Sequence, residues 1–119
     1  MSNVQISEAA KLAVETNKQK GIEVHFAKVA GKEYLFKPIN RAEWKILLKK
    51  RNEAMQQAGD DELKKAEVLE QELESLLSIA LLYSADPIEN VPAGAVQSIC
   101  DAIMVASGFT GLESEPIKL

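Results

Sequence analysis

Cysteine and histidine are nearly missing from this chain: its 119 residues contain one of each, Cys100 and His25. A single cysteine excludes an internal disulfide, and with it the disulfide framework of a small secreted domain. One cysteine with one histidine also cannot close a zinc site. Long apolar runs are absent as well. No segment approaches the roughly 18 apolar residues that read as a membrane span. The opening MSNVQISEAAKLAVETNKQKG lacks the basic stretch and unbroken apolar core of a signal peptide. Neither export nor membrane insertion is expected, and a reducing cytoplasm fits best. Positive charge is short too: 14 Lys and Arg stand against 18 Asp and Glu, a formal net charge of −4. Such a surface has little with which to neutralise phosphate backbones, so nucleic acid is not an expected partner. The one basic cluster, Lys45, Lys49, Lys50 and Arg51, shares its segment with Glu43 and Glu53 and reads as a solvated helix face.

What the chain does have is an ordinary supply of core residues, 46% hydrophobic, in a length that suits one domain. Ser7 precedes a helix-forming run with an acidic first turn, and Gly21 is its natural stop. The apolar positions of this first helix (Ala9, Ala10, Leu12, Ala13, Val14) are mostly small, so residues 1–21 are expected to form a mobile arm. From Ile22 to Ile39 the apolar period changes to two. Ile22, Val24 and Phe26 alternate with Glu23 and His25, and Tyr34 and Phe36 with Leu35 and Lys37. Ala30-Gly31-Lys32 supplies a glycine for a left-handed turn and Pro38 ends the second strand, which predicts a β-hairpin.

Asn40-Arg41-Ala42-Glu43 has capping-box spacing, so a helix starts directly after the hairpin and ends at Ala58-Gly59, with Trp44, Leu47, Leu48 and Met55 near one face. Asp60 and Asp61 open the next helix, Glu62 to about Tyr83, whose apolar residues recur at steps of three and four. The short polar link between these two helices predicts an αα-hairpin. Ala85-Asp86-Pro87 breaks the helix and Pro87 to Pro92 form a connector. A last helix spans Ala93 to Ser107, with Val96, Ile99, Cys100, Ile103 and Ala106 on one face and Gly108 as its stop. Thr110 to Leu119 has no periodicity and is expected to fray. The predicted fold is α+β and mainly helical: residues 22–109 form a small bundle with one β-hairpin, and residues 110–119 a flexible tail.

No catalytic constellation emerges. His25 is expected to face solvent from its strand, and no spacing brings it to a nucleophile. Cys100 lies on an apolar stripe, where a thiol acts as a small hydrophobe. The carboxylates Glu62, Glu67, Glu70, Glu72 and Glu74 share a helix with no histidine and read as a solvated face rather than a metal-binding one. Gly94 and Gly108 are isolated, and no glycine-lysine phosphate cradle exists. No enzyme activity, metal or cofactor is expected. The positive feature is apolar surface on slender helices, which serves either as core or as a groove for a partner chain. The expected binding face is Leu73, Leu76, Leu77, Leu81 and Met104, and Leu77→Asp is expected to abolish partner binding while leaving the chain folded.

The order of signals resembles the tail assembly chaperones of long-tailed bacteriophages. The resemblance rests on Tyr34-Leu35-Phe36-Lys37-Pro38-Ile39, the helix opening Asn40-Arg41-Ala42-Glu43-Trp44, and Val91-Pro92-Ala93-Gly94 leading to Ala106-Ser107-Gly108-Phe109. It covers residues 33 to 109. The chain departs from the family pattern where Ser84-Ala85-Asp86 intervenes between Leu82-Tyr83 and Pro87, and Gln56 to Glu72 has no family signature. The resemblance implies a protein of the host cytoplasm that coats the tape-measure protein and recruits tail-tube subunits; genes of the family often yield a longer frameshifted product, whose extension would attach past Phe109, and whether one exists here stays open. Oligomeric state stays open. A virion structural protein using the hairpin for edge pairing, or a helical adaptor using the αα-hairpin, are the alternatives.

Overall fold

The computed structural model describes residues 5–119, so residues 1–4 of the expected arm lie outside it. Ser7 caps the first helix, α1 (Glu8–Gln19), by accepting from the Ala10 amide at 3.2 Å. The strand pair follows as β1 (His25–Val29) and β2 (Lys32–Phe36). Val29 pairs with Lys32, so the turn is the two-residue Ala30-Gly31. Both have positive φ, 51° and 78°, the mirror-image turn that matches the twist of a hairpin. Ala30 pays for its Cβ in that conformation, a penalty of about 1–2 kcal/mol. Ala30→Gly is therefore expected to raise the thermal midpoint by several degrees, measured by circular dichroism. An unchanged or lower midpoint would contradict this turn geometry.

The capping box at Asn40 forms as expected. Asn40 Oδ1 accepts from the Glu43 amide at 2.9 Å, and Glu43 Oε1 accepts from the Asn40 amide at 3.0 Å. It opens α2 (Arg41–Ala58), and Asp61 caps α3 (Glu62–Ala80) by accepting from the Leu63 and Lys64 amides. Their antiparallel pairing is fastened by Arg51 to Glu72 at 3.1 Å. After a 3-10 turn at Ile88–Asn90, α4 (Ala93–Ala106) begins. It closes at Gly108, whose φ is 98°, with the Phe109 amide donating back to Met104 O at 3.0 Å. That is the bond pattern glycine permits at a helix C-terminus.

Two expectations about chain segments need correction. The helix expected to reach Tyr83 stops at Ala80, and Leu81–Ser84 turn extended as β3. Leu-Leu-Tyr continues the apolar spacing of α3, but it is also a short apolar run that periodicity cannot assign. The open edge of β2 decides: β3 pairs with it antiparallel, with an irregularity between Leu35 and Phe36. The tail does not fray either, since Ile117–Lys118 form β4 against His25 and Phe26 of β1. The Leu119 amide adds a 2.9 Å bond to Val24 O. The four-stranded antiparallel sheet has the order β3-β2-β1-β4.

Helices cover both faces of this sheet, which explains why Tyr34, Leu35 and Phe36 are all buried although their side chains alternate. Leu35 joins Val24, Phe26 and Ala10 under α1, with Ala13, Val14, Leu82 and Tyr83 around them. The first helix is thus docked rather than a mobile arm. Its small residues are what allow it to lie close to the sheet, and the Ser7 amide ties it to Glu33 Oε2 at 2.9 Å. Tyr34 and Phe36 point the other way, into the main core with Leu47, Leu76, Leu77, Ile99 and Ile103. The result is a mostly helical α+β fold.

His25, expected to face solvent, is buried instead. It lies opposite Phe36 in the β1–β2 register and is only 7% exposed, its ring stacked on Phe36 with centroids 6.2 Å apart. Strand alternation places it on the correct face, but that face carries α4 rather than water. Its Nε2 meets Glu23 Oε2 at 2.6 Å, and Glu23 in turn meets Lys118 Nζ at 3.3 Å, which links β1 to β4.

Three carboxylates are held below their ordinary value of 4.5 by hydrogen bonds: Glu23 by His25, Glu33 by Ser7, and Glu43 by the Lys37 ammonium and then the Asn40 amide. A depressed folded-state pKa stabilises the fold above the unfolded value, and that stability disappears as pH falls through the folded value. The urea midpoint should therefore hold from pH 7 to about 5 and decline on further acidification. Glu43→Gln should lower the midpoint at pH 7 and flatten the acid decline; an equally steep decline in the variant would show that Glu43 does not contribute to it.

Candidate functional site

The described chain is elongated, 49 Å against 29 and 26 Å. A helix of 18 or 19 residues runs for about 28 Å, and the part farthest from the sheet buries little besides Ala58 and Val68. Leu63 and Leu69 of α3 are 71% and 54% exposed, and Ile46 of α2 58%. The apolar spacing of α3 therefore exceeds what its own core covers.

Towards the sheet, α3 meets α4 through Leu76 and Leu77, which pack with Ile99, Cys100 and Ile103. Leu73 sits one turn before this seam, half-buried, and its carbonyl accepts the Cys100 thiol at 3.8 Å. Burial pushes the pKa of that thiol up to about 12. A reactive cysteine needs the opposite environment, one that favours thiolate. Cys100 is thus a core residue, and it should react with a thiol reagent only once the protein unfolds; rapid labelling of the native chain would contradict its placement.

Two grooves flank Leu73. One, about 390 Å³, lies between α3, α4 and the start of α2, with Trp44, Leu69, Leu73, Met104 and Leu112 along it. Trp44 is braced by an edge-on contact to Phe109, centroids 4.9 Å apart. The other, about 680 Å³, lies between α3 and the connector before α4, with Leu73, Leu77, Leu81, Ile88 and Val96. Each has an acidic margin: Glu70, Glu72 and Asp101 for the first, Glu70, Glu74 and Glu89 for the second. Neither is lined by a lysine or arginine. The outer groove between α2 and α3 differs, since Lys50 and Arg51 share it with Glu53, Glu72 and Glu74.

The five residues expected to face a partner come together here, but not as one exposed stripe. Leu73 borders both grooves, Met104 borders the first and Leu81 the second, all three half-buried. Leu76 and Leu77 reach the groove floors yet are 6% and 5% exposed and belong to the core. Leu81 enters through β3 rather than through the helix. Leu69 and Trp44 complete the first groove, and both were visible in the sequence as apolar residues on amphipathic helices. Leu112 was not, because nothing in the aperiodic tail marks it.

Among the described residues, no group of three or more histidine, cysteine, aspartate or glutamate side chains is placed to hold a metal ion. No helix among them is long and apolar enough to cross a membrane. What the arrangement offers chemically is apolar surface with a negative border. No known protein family, curated protein or solved structure matches the chain.

Proposed function

We propose that this chain is a non-enzymatic tail assembly chaperone of a long-tailed bacteriophage, which binds the tape-measure protein, keeps it soluble and recruits tail-tube subunits in the host cytoplasm. The observation that carries the reading is the pair of apolar grooves either side of Leu73. Helix-in-groove recognition needs such a surface, open on a rigid support and lined at helical spacing. The acidic border and the net charge of −4 favour dispersal of a complex whose partner is prone to aggregate. The short motifs at residues 33–109 support the same family.

The test is co-expression with the longest structural gene product of the source genome. The reading expects that product to become soluble in a complex with this chain, and this chain to be missing from finished particles. If the product stays insoluble and this chain is found in the particle, a virion structural protein replaces the chaperone. One feature favours that second reading: β4 pairs only with His25 and Phe26, leaving Ala27–Val29 of β1 without a strand on that side among the described residues. Such an edge can pair with another chain.

A further inference from the structure

We propose that the groove between α3 and α4 takes one amphipathic helix whose apolar stripe is bordered by lysine or arginine; this deepens the reading above and rests on it. The shape argues for a helix. Leu69, Leu73 and Leu76 on α3 stand at steps of four and three, and Cys100 and Met104 on α4 at a step of four. Two helices meeting along such rows leave a furrow into which the side-chain ridge of a third helix fits. No strand lines this groove, so backbone pairing with an extended peptide is not offered there.

Charge argues for the flanks. Glu70 on α3 and Asp101 on α4 stand at the groove, and neither forms an ion pair among the described residues. Asp101 accepts only a neutral amide, Gln97 Nε2 at 3.1 Å. The third carboxylate, Glu72, is already held by Arg51. Two free carboxylates, one on each helix of an apolar furrow with no basic residue lining it, complement cations beside the apolar stripe of an incoming helix and repel an acidic one. Exposed Leu69 is an apolar anchor at the groove, and Trp44 lines it from α2.

Trp44 is the single tryptophan of the chain, so its emission reports occupancy of this groove. The experiment titrates the full chain with two synthetic peptides of roughly five helical turns sharing one leucine stripe. One carries lysine on both flanks of the stripe and the other glutamate. The lysine peptide is expected to shift Trp44 emission and to bind at least tenfold more tightly than its twin, with the advantage shrinking as salt rises. The double variant Glu70→Lys, Asp101→Lys changes only groove-margin residues and should reverse the order. Leu69→Asp should weaken both peptides. An unchanged thermal midpoint certifies the fold in each variant.

Absence of lysine-peptide binding, equal affinity for the two peptides, or a preference that survives the double reversal would overturn the inference. These outcomes are separable from failure of the chaperone reading. If the tape-measure protein is held soluble while neither peptide binds, only this groove assignment falls. If the lysine peptide binds as expected and the tape-measure protein is never captured, the groove stands and the partner is a different basic helix.

Discussion

Leu77→Asp is expected to unfold this protein, not merely to blunt its binding. The sequence reading expects the reverse, because Leu77 lies on the apolar stripe of α3 and nothing in the spacing says which part of that stripe is covered. In the structure Leu77 is 5% exposed and sits among Leu76, Ala80, Ile99 and Ile103. Replacing it removes a leucine from a packed site, about 2–5 kcal/mol by itself. It also buries a carboxylate with no cation beside it, which costs more unless the group protonates. The sum rivals the roughly 5–15 kcal/mol that hold a typical domain together. At neutral pH a melt followed by circular dichroism should show no cooperative transition, with partial recovery towards about pH 5, where a buried carboxyl protonates before the acid decline sets in. A variant that melts like the parent would remove Leu77 from the core and return it to the surface.

Phe36→Ala should be the next most damaging change. Phe36 is fully buried, links β2 to the helical layer, and is the ring on which His25 stacks. Truncating a buried phenylalanine costs about 3–5 kcal/mol through lost transfer energy and the cavity left behind. At this chain length that corresponds to a fall in Tm of roughly 10–20 °C. The neighbouring Leu35 is just as buried but faces α1. Leu35→Ala should therefore loosen α1 more than α4, and hydrogen exchange can separate the two: faster exchange in residues 8–19 for Leu35→Ala, in residues 93–106 for Phe36→Ala. Identical exchange patterns would mean that the two faces of the sheet do not form separate cores.

Local signals carried most of the architecture. The Asn40 capping box, the Ala30-Gly31 turn, Asp61 and Gly108 are each decided by a few neighbouring residues, and each forms where the sequence places it. The misreadings all involve partners distant in sequence. Leu81-Leu82-Tyr83 becomes a strand because β2 has a free edge 45 or more residues earlier in the chain. Ile117-Lys118 becomes a strand because β1 has one. His25 is buried because α4 packs over β1, and α1 docks because the opposite face of the sheet is also apolar. Periodicity reports which residues share a face, but not what lies over it.

The groove was legible to the same extent. The apolar residues of α3 and α4 named the elements that build it, while the division into core (Leu76, Leu77) and margin (Leu69, Leu73, Met104) depends on the crossing of the two helices. The sequence marks the glutamates of α3 (Glu62, Glu67, Glu70, Glu72 and Glu74) as a solvated face. Glu62, Glu67 and Glu70 are exposed as expected, but the placing of Glu70 and Asp101 at one groove arises only when α3 and α4 are brought together.

A partner chain held in the groove between α3 and α4 is tested most directly by capture of the tape-measure protein by a Leu69→Asp variant. Leu69 is 54% exposed, so the variant should fold with the parent's thermal midpoint. The account predicts that, co-expressed with the tape-measure protein, it leaves that protein insoluble where the parent chain keeps it in solution. A folded Leu69→Asp variant that solubilises the partner as well as the parent does would contradict the account, and would move the binding site away from the groove between α3 and α4.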